Sequence, residues 1–335
     1  MNRVAIVVLN WNGIEDTLLC LDSLLQQTYK DYQIVVIDNG SIDNSVARLQ
    51  EYIKNHSSEI TLLLNKTNLG FAGGVNTGIR WALEKKFDSV ALFNNDAVAD
   101  KLWLESLVTA MTPSEVGIAT GLLLHEDGET IDSTGDWYSK WGLPFPRNRD
   151  DARNSAPESE YVFSASGGAS LYKAAVFQDI GLFDETFFAY YEDTDISFRA
   201  QLAGYKITYT PNAVAYHKQG ATSSKLPGFT VYQTFKNLPL LFLKNVPRKL
   251  LFSVGERFLL AYILMYLNTF THRSGWPATK GVAKALALSF GALRLRRSIQ
   301  KNKRVSTSYI KSILWDDLPP DQTGLRKFRK LFTGK

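Results

Sequence analysis

The first hundred residues alternate between short apolar runs and segments in which apolar residues recur at helical spacing. The runs cover residues 3–9, 32–37, 60–64 and 89–93, and each has the length of a strand buried on both faces. Helical spacing connects Ile14, Leu18, Leu21 and Leu25, then Ile42, Val46, Leu49 and Ile53, and then residues 75–86. Such alternation predicts an α/β protein, with a Rossmann-like, mostly parallel central sheet flanked by helices and right-handed crossovers.

Each predicted strand is followed by a polar segment. These segments are Asn10-Trp11-Asn12-Gly13, Asp38-Asn39-Gly40-Ser41, the glycine-rich residues 65–74, and Asn94-Asn95-Asp96. Asparagine, aspartate and glycine also suit ordinary turns, so a single segment of this kind indicates little. In open parallel sheets, however, ligands bind beyond the carboxyl ends of the strands. Four polar ends at one edge therefore predict a site for a polar ligand.

Two of these segments have a specific chemistry. Asp38 at the tip of a buried strand can accept hydrogen bonds from a base or a ribose, although it can also cap a helix. Asp96 can hold a divalent cation that bridges two phosphates, although it can also lie in a solvated turn. The glycines of residues 70–78 allow close approach to phosphate, but they match neither G-x-G-x-x-G nor a P-loop.

Residues 183–204 place acidic side chains at the start of a predicted helix, after five aromatic residues. Acidic residues at a helix N-terminus are stabilised by the helix dipole whatever their function. Asp195 and Arg199 are four residues apart and can pair on one face. That pairing leaves Glu192 and Asp193 as candidate general bases beside an aromatic wall. His217, after the strand-like residues 205–210, is a candidate metal ligand.

Charge divides the chain into two parts. Residues 1–224 carry a net charge of −12 and residues 225–335 carry +17. This division predicts an acidic body and a basic C-terminal region.

The lone cysteine, Cys20, excludes a disulfide framework and a cysteine-based zinc site, and the residues after Met1 lack the shape of a signal peptide. Both features favour a cytoplasmic location.

The basic region combines apolar and cationic segments. Its most apolar window, residues 250–270, is interrupted by Glu256 and Arg257, so residues 229–271 predict a membrane-surface helix or helical hairpin. The cationic residues form two clusters: Arg294, Arg296, Arg297, Lys301, Lys303 and Arg304, and then Arg326, Lys327, Arg329 and Lys330. Such clusters favour an anionic membrane surface as partner, and a solvated helical cap is the alternative. The acidic body argues against nucleic acid.

Taken together, these motifs resemble glycosyltransferase family 2, the inverting enzymes with the GT-A fold, and most closely its bacterial rhamnosyltransferase-like members. The resemblance covers residues 3 to about 222. The motifs that carry it, in order, are Val8 to Gly13, Asp38 to Ser41, Asn68 to Asn76, Asn94 to Asp96, Gly168-Ala169, Phe183 to Glu185, Tyr191 to Asp195, Arg199, Gly204-Tyr205 and His217.

The resemblance implies a catalytic domain over residues 1–224, with a nucleotide-sugar half at 1–100 and an acceptor half at 101–224. The residues implied to bind the nucleotide sugar are Asn10, Asn12, Asp38, Asn68, Gly74 and Asn95. Asp96 and His217 would hold Mg²⁺ or Mn²⁺. Asp193, or else Glu192, would deprotonate the acceptor, and Gly168 and Ala169 would shape the acceptor side. The family's metal-binding element often has more acids than Asn94-Asn95-Asp96 provides, so metal binding would depend on the nucleotide diphosphate.

The implied reaction transfers a sugar, with inversion, from a dTDP-rhamnose or UDP-hexose type of donor. The implied acceptor is a saccharide or polyprenyl-linked saccharide of a bacterial cell-surface polysaccharide, at the cytoplasmic face of the inner membrane. Two alternatives share the fold. A nucleotidyltransferase would need a basic, glycine-rich loop where Asn10-Trp11-Asn12-Gly13 stands. An inactive nucleotide-sugar-binding scaffold would have no need of Asp96, Asp193 and His217. The oligomeric state is left open.

Overall fold

The structure is a computed structural model that describes residues 2–56, 58–218 and 226–319. Its first seven elements are β1 (Val4–Asn10), α1 (Ile14–Leu24), β2 (Tyr32–Asp38), α2 (Ser45–Lys54), β3 (Ile60–Leu64), α3 (Gly70–Glu84) and β4 (Ser89–Asn94). The predicted alternation of strand and helix is confirmed, and each predicted strand agrees with the structure to within one residue at either end. Ile42 precedes α2 and is exposed, so it is not part of the helix to which its spacing assigned it.

Helix α3 begins five residues before the predicted start, within the glycine-rich segment. A Cβ on Gly74 would lie 2.4 Å from the Leu9 side chain, and one on Gly78 would lie 2.8 Å from Val7 and from Ile37. These glycines therefore allow the helix to pack closely on β1 and β2.

The rest of the acidic body comprises β5 (Ala97–Ala99), α4 (Trp103–Ala110), β6 (Val116–His125), β7 (Ile131–Ser133), β8 (Asp136–Tyr138), β9 (Pro144–Pro146), β10 (Glu160–Tyr161), β11 (Ala169–Lys173), α5 (Ala174–Ile180), α6 (Glu192–Ala203) and β12 (Lys206–His217). Within the described residues, ten strands form one sheet whose main path is β10-β12-β6-β11-β4-β1-β2-β3. Strands β4, β1, β2 and β3 are parallel, and β11 runs antiparallel between β4 and β6. The predicted α/β fold with a mostly parallel central sheet flanked by helices is confirmed.

Strand register brings the polar strand ends to one edge. Asn10 at the end of β1 pairs in register with Asp38 at the end of β2, and Leu9 pairs with Asn94 of β4. On the other side of the sheet, His217 at the end of β12 pairs with Ala97 of β5, the strand that follows Asp96. The pairing of β5 with β12 therefore places Asp96 beside His217, although the two residues are 121 positions apart in sequence.

The C-terminal region is helical, as its pattern predicted, with α7 (Phe229–Asn245), α8 (Leu251–Thr271), α9 (Gly275–Lys301) and α10 (Thr307–Ser312). Its apolar residues share one core with α6, in which Phe198 and Leu202 pack with Leu238, Leu241 and Phe258. The predicted domain boundary, between residues 224 and 225, lies outside the described residues. The second basic cluster, Arg326, Lys327, Arg329 and Lys330, also lies outside them.

One helical stretch of the described chain, Arg248–Thr271, is long and apolar enough to cross a membrane by length and composition, with a mean hydropathy of 1.6. Glu256 and Arg257 lie within it. One face of α8 packs inward through Val254, Phe258, Ala261 and Met265. The exposed apolar residues of α8 are Phe252, Leu259, Leu260, Ile263, Leu267 and Phe270. Most of them recur at intervals of three, four or seven, so they occupy one face of the helix.

Candidate active site

A cleft of about 1130 Å³ opens at the edge of the sheet where the polar strand ends meet. Trp11, Asn39 and Asn68 line one part of its wall, next to the ends of β1, β2 and β3. The opposite part is aromatic and includes Tyr190 and Phe229. From there the cleft continues along α7 to the last turns of α8. A polar end and an aromatic end within one cavity can hold the two substrates of a transfer reaction.

The structure brings seven of the predicted site residues into this cleft and leaves five outside its lining. Those that line it are Asn68, Asn95, Asp96, Gly168, Glu192, Asp193 and His217. Those that do not line it are Asn10, Asn12, Asp38, Gly74 and Ala169. These seven residues come from five separate parts of the chain, which the fold brings together at one edge of the sheet.

Asn10 and Asp38 are buried and satisfy each other. The Asn10 amide donates to one carboxylate oxygen of Asp38 at 2.8 Å, and the backbone N–H of Ser41 donates to the other at 3.0 Å. The Ser41 hydroxyl in turn accepts from the backbone N–H of Asn12 at 2.9 Å. This network ties the turns after β1 and β2 together and fixes the turn that places Trp11 on the cleft wall.

Gly74 and Ala169 are packing residues in this structure. Gly74 lies against Leu9, and Ala169 is buried in β11 opposite Phe93 of β4. Asn68, which lines the cleft, accepts from the Asn39 amide at 3.0 Å and from the backbone N–H of Gly70 at 2.8 Å. It therefore shapes the entry of α3, at the helix N-terminus that faces the cleft.

Asp96 and His217 meet on the cleft wall, as the candidate metal ligands were expected to do. The Asp96 carboxylate lies 3.2 Å from Nε2 of His217, and the carboxylate of Asp132 lies 2.8 Å from Nδ1 on the opposite side of the ring. Burial alone would lower the pKa of His217, but these two carboxylates outweigh it and raise that pKa to about 9. A positive charge between Asp96 and Asp132 is therefore favoured, whether a proton or a metal ion provides it.

Asp193 lines the cleft, and each of its carboxylate oxygens accepts a hydrogen bond from a backbone N–H. The backbone N–H of Gly167 donates to one oxygen at 3.1 Å, and the N–H of Thr194 donates to the other at 2.7 Å. Burial raises the pKa of Asp193, although these amide hydrogen bonds partly offset it. A carboxylate that is fixed in direction and has a raised pKa is suited to accept a proton from a substrate.

Glu192, next to Asp193, is more deeply buried, and its Oε2 has no hydrogen-bond partner among the described residues. Burial, together with the charge of Asp193, raises the pKa of Glu192 to about 8. Glu192 is therefore mainly protonated at neutral pH, while Asp193 is the better candidate for the ionised base.

Two acidic residues that interact with the predicted site residues were not themselves predicted from the sequence. Asp132 binds His217, and Asp136 lines the cleft with a pKa raised by its burial and by the neighbouring charge of Asp193. Both lie in or beside short strands without a surrounding motif. Asp132 is 85 residues from His217 in sequence, so no local pattern could have identified the pair.

Known proteins share sequence and fold with this chain. The model of the family described as glycosyl transferase family 2 matches residues 5–181, more than half of the chain. The chain is 25% identical over 243 residues to the low-salt glycan biosynthesis hexosyltransferase Agl10 of Haloferax volcanii, an alignment that covers 71% of this chain and 74% of that protein. It is 27% identical over 229 residues to the N-acetylglucosaminyl-diphospho-decaprenol L-rhamnosyltransferase of Mycobacterium tuberculosis, covering 62% and 73%.

Among solved structures, the chain is similar to the mannosyltransferase PcManGT of Pyrobaculum calidifontis, determined in complex with GDP-Man and Mn²⁺. The TM-score is 0.56 at 16% identity, and the match covers 93% of this chain and 85% of that one. At this identity the likeness shows the fold, and it confirms the predicted GT-A architecture. The chain therefore belongs to glycosyl transferase family 2 and is a glycosyltransferase that uses nucleotide sugars.

Proposed function

We propose that this protein is a metal-dependent inverting glycosyltransferase that extends a lipid-linked saccharide at a membrane surface. The observation that carries the proposal is the placement of Asp193. Its carboxylate is fixed by two backbone amides in the same cleft as the Asp96–His217 pair. A candidate base and a candidate diphosphate site within one cleft are the two groups that a single displacement requires.

In this reaction Asp193 accepts the proton of an acceptor hydroxyl. The resulting oxygen attacks the anomeric carbon on the face opposite the nucleotide, and the bond from that carbon to the diphosphate oxygen breaks. The configuration inverts because there is one displacement and no enzyme nucleophile. Because Glu192 is mainly neutral at pH 7, Asp193 carries the negative charge at this position and accepts the proton of the acceptor hydroxyl.

The residues near Asp96 fit a divalent cation that is shared with the substrate. Among residues 2–56, 58–218 and 226–319 no group of three or more His, Cys, Asp or Glu side chains suited to a metal occurs. Asp96 and His217 would hold the ion, Asp132 would orient His217, and diphosphate oxygens and water would complete its ligands. When bound, the cation neutralises charge on the departing diphosphate.

The relatives support a choice of donor and acceptor. Agl10 is named as a hexosyltransferase and the mycobacterial protein as a rhamnosyltransferase that acts on a decaprenol-linked sugar. We therefore propose a dTDP-rhamnose or UDP-hexose type of donor and a polyprenyl-linked saccharide acceptor of a cell-surface polysaccharide. The cleft supports a lipid-linked acceptor because it extends past Tyr190 and Phe229 to Met265 and Asn268 of α8, the helix with the exposed apolar face.

An anionic membrane surface is the proposed partner of helices α8 and α9, at the cytoplasmic face of the membrane. On α9, exposed apolar residues at 286, 290 and 293 continue into the exposed cations Arg294, Arg297 and Lys301. The other cations of this cluster have partners within the protein. Arg296 donates to the carbonyl of Leu243, Lys303 donates to that of Val305, and Arg304 pairs with Asp179. The membrane-binding cations are therefore Arg294, Arg297 and Lys301.

Reversing these three charges to glutamate should weaken binding to anionic vesicles, because each cation near such a surface contributes about 1 kcal/mol. Wild-type protein should sediment with anionic vesicles and little with neutral ones. High salt should release it only in part, since the apolar face of α8 is not screened. The matched control reverses the exposed Lys54, Lys85 and Lys101 of the acidic body, which changes the net charge equally. Equal sedimentation of the Arg294/Arg297/Lys301 variant and wild type would show that this cluster is only a solvated face.

The function itself is tested by incubating full-length protein with Mn²⁺ and a panel of nucleoside-diphosphate sugars, with and without a polyprenyl-diphosphate-linked saccharide. We expect one donor to raise the melting temperature and to release its nucleoside diphosphate faster when the acceptor is present. Release that no acceptor accelerates, for every donor that binds, would contradict transfer to a lipid-linked saccharide.

A further inference from the structure

The residues just before the candidate base form an irregular segment that lies between the sheet of the acidic body and the C-terminal helices. Phe188, Ala189, Tyr190 and Tyr191 all line the cleft, and Glu192 and Asp193 follow directly as the first turn of α6. The position of this aromatic segment therefore determines both the shape of the aromatic wall and the direction of Asp193.

The backbone of this segment is in a conformation that bulky residues rarely adopt. Phe188, Tyr190 and Tyr191 have φ angles of 62°, 70° and 71°, in the left-handed region that usually requires glycine. Three such residues within four positions persist only where the surrounding structure holds them.

Hydrogen bonds from outside the segment supply this restraint. Lys236 donates to the carbonyls of Thr186 and Phe187, both at 3.0 Å. Asn237 donates to the carbonyls of Phe187, Ala189 and Tyr190 at 3.0, 2.9 and 2.8 Å. The backbone N–H of Ala72 in α3 donates to the carbonyl of Phe188 at 3.1 Å. Each of the five consecutive carbonyls from residue 186 to residue 190 therefore has a donor.

The two donating side chains are adjacent on α7 and almost inaccessible to water. Asn237 is 0% exposed and Lys236 is 4% exposed. The Asn237 amide nitrogen has two protons for three carbonyls, so one proton is shared, while Oδ1 meets no donor among the described residues. Lys236 also faces the carboxyl group of Glu192, although its burial lowers its pKa to about 8. Because water cannot replace these bonds, losing one leaves buried carbonyls unpaired.

We propose that Asn237 and Lys236 are positioning residues of the transfer reaction, which hold residues 186–191 so that the aromatic wall and Asp193 face the acceptor. The inference rests on the proposed function. It makes α7 part of the active site, in addition to any role of the C-terminal region at a membrane.

The test replaces Asn237 with aspartate, which keeps the shape of the side chain but sets a carboxylate against the three carbonyls. We expect kcat for transfer to fall about 10- to 100-fold, because a small misplacement of reacting groups is costly. The acceptor KM should rise. The dissociation constant of the donor should stay the same, since the proposed function places the donor against the polar wall at the strand ends, which Trp11, Asn39 and Asn68 line. Lys236→Met should show the same pattern and decides the question if Asn237→Asp does not fold.

The matched control is Leu238→Ala, at the next position of α7. Leu238 is 0% exposed and makes no hydrogen bond to the segment, so its truncation destabilises the same helix without freeing a carbonyl. Below its melting temperature this control should keep the wild-type kcat. An equal loss of kcat in Leu238→Ala, or a wild-type kcat in folded Asn237→Asp, would overturn the proposal.

Hydrogen–deuterium exchange of the full-length proteins gives a readout that does not depend on catalysis. We expect the amides of residues 186–191 to exchange faster in Asn237→Asp and Lys236→Met than in wild type or Leu238→Ala. Unchanged exchange in both positioning variants would contradict the proposed restraint. If wild-type protein transfers no sugar at all, the proposed function fails, and this exchange result still decides whether α7 holds the segment.

Discussion

Asp193→Asn should lower the rate of sugar transfer about 10²- to 10⁴-fold, because a general base contributes a factor of that size. The isosteric amide keeps the volume of the side chain and can still accept from the N–H of Gly167 or of Thr194. The fold and the affinity for the nucleotide should therefore be retained. Transfer is measured by the release of nucleoside diphosphate in the presence of acceptor, and nucleotide affinity by calorimetry.

Glu192→Gln is the matched control, since it makes the same change at the adjacent residue. Because the pKa of Glu192 is about 8, its carboxyl group is already mainly neutral at pH 7, and the glutamine variant should keep most of the wild-type transfer. The opposite pattern, an active Asp193→Asn and an inactive Glu192→Gln, would assign the base to Glu192.

The dependence of kcat/KM on pH provides a further check on Asp193. The base works in its ionised form, and burial raises its pKa, with Glu192, Asp136 and Tyr172 among the titratable groups that face it. Transfer should therefore be lost as the pH falls through a value above that of an ordinary aspartate. This acid limb should be absent from the residual activity of Asp193→Asn.

Removal of the divalent cation should have a comparably large effect. Excess chelator should abolish transfer, and added Mn²⁺ or Mg²⁺ should restore it. His217→Ala and Asp96→Ala should each weaken binding of the nucleoside diphosphate in the presence of metal, because each removes one of the two proposed protein ligands. Asp132→Asn should weaken metal binding about 10- to 100-fold, since the carboxylate that orients a metal-binding histidine contributes that much.

Asp150→Asn is the control for these variants. Asp150 lines the same cleft but interacts with His125 and not with His217, and asparagine tolerates its positive φ of 67°. The variant should therefore bind metal and nucleotide as wild type does. Full transfer in excess chelator would contradict the metal assignment.

The sequence predicted the catalytic sheet well because buried parallel strands have a strong signature. Continuous apolar runs identified β1 to β4, and the polar residues after them identified the edge at which the cleft opens. The pairing of Asp195 with Arg199 also followed from local spacing, and the structure confirms it at 3.0 Å. Features of this kind depend on residues within a few positions of one another.

Features that depend on distant partners could not be predicted in the same way. The glycines of α3 suggested a loop, whereas β1 and β2 lie so close that only glycine fits, as the contact of Gly74 with Leu9 shows. In the sequence, Asn237 looks like an ordinary polar residue of an amphipathic helix. In the structure, its amide donates hydrogen bonds to backbone carbonyls about 50 residues earlier in the chain. The second partners of Asp195, Lys244 and Asn245, are likewise absent from any local pattern.

The central claim is a single displacement with Asp193 as the base, and the anomeric configuration of the product tests it most directly. The full-length protein would be incubated with Mn²⁺, the nucleoside-diphosphate sugar that it binds and a saccharide acceptor, and the new linkage read by ¹H NMR from the coupling constants of its anomeric proton. We predict the configuration opposite to that of the donor. A product that retains the donor's configuration would contradict the single displacement and would require a nucleophile or intermediate that Asp193 does not provide.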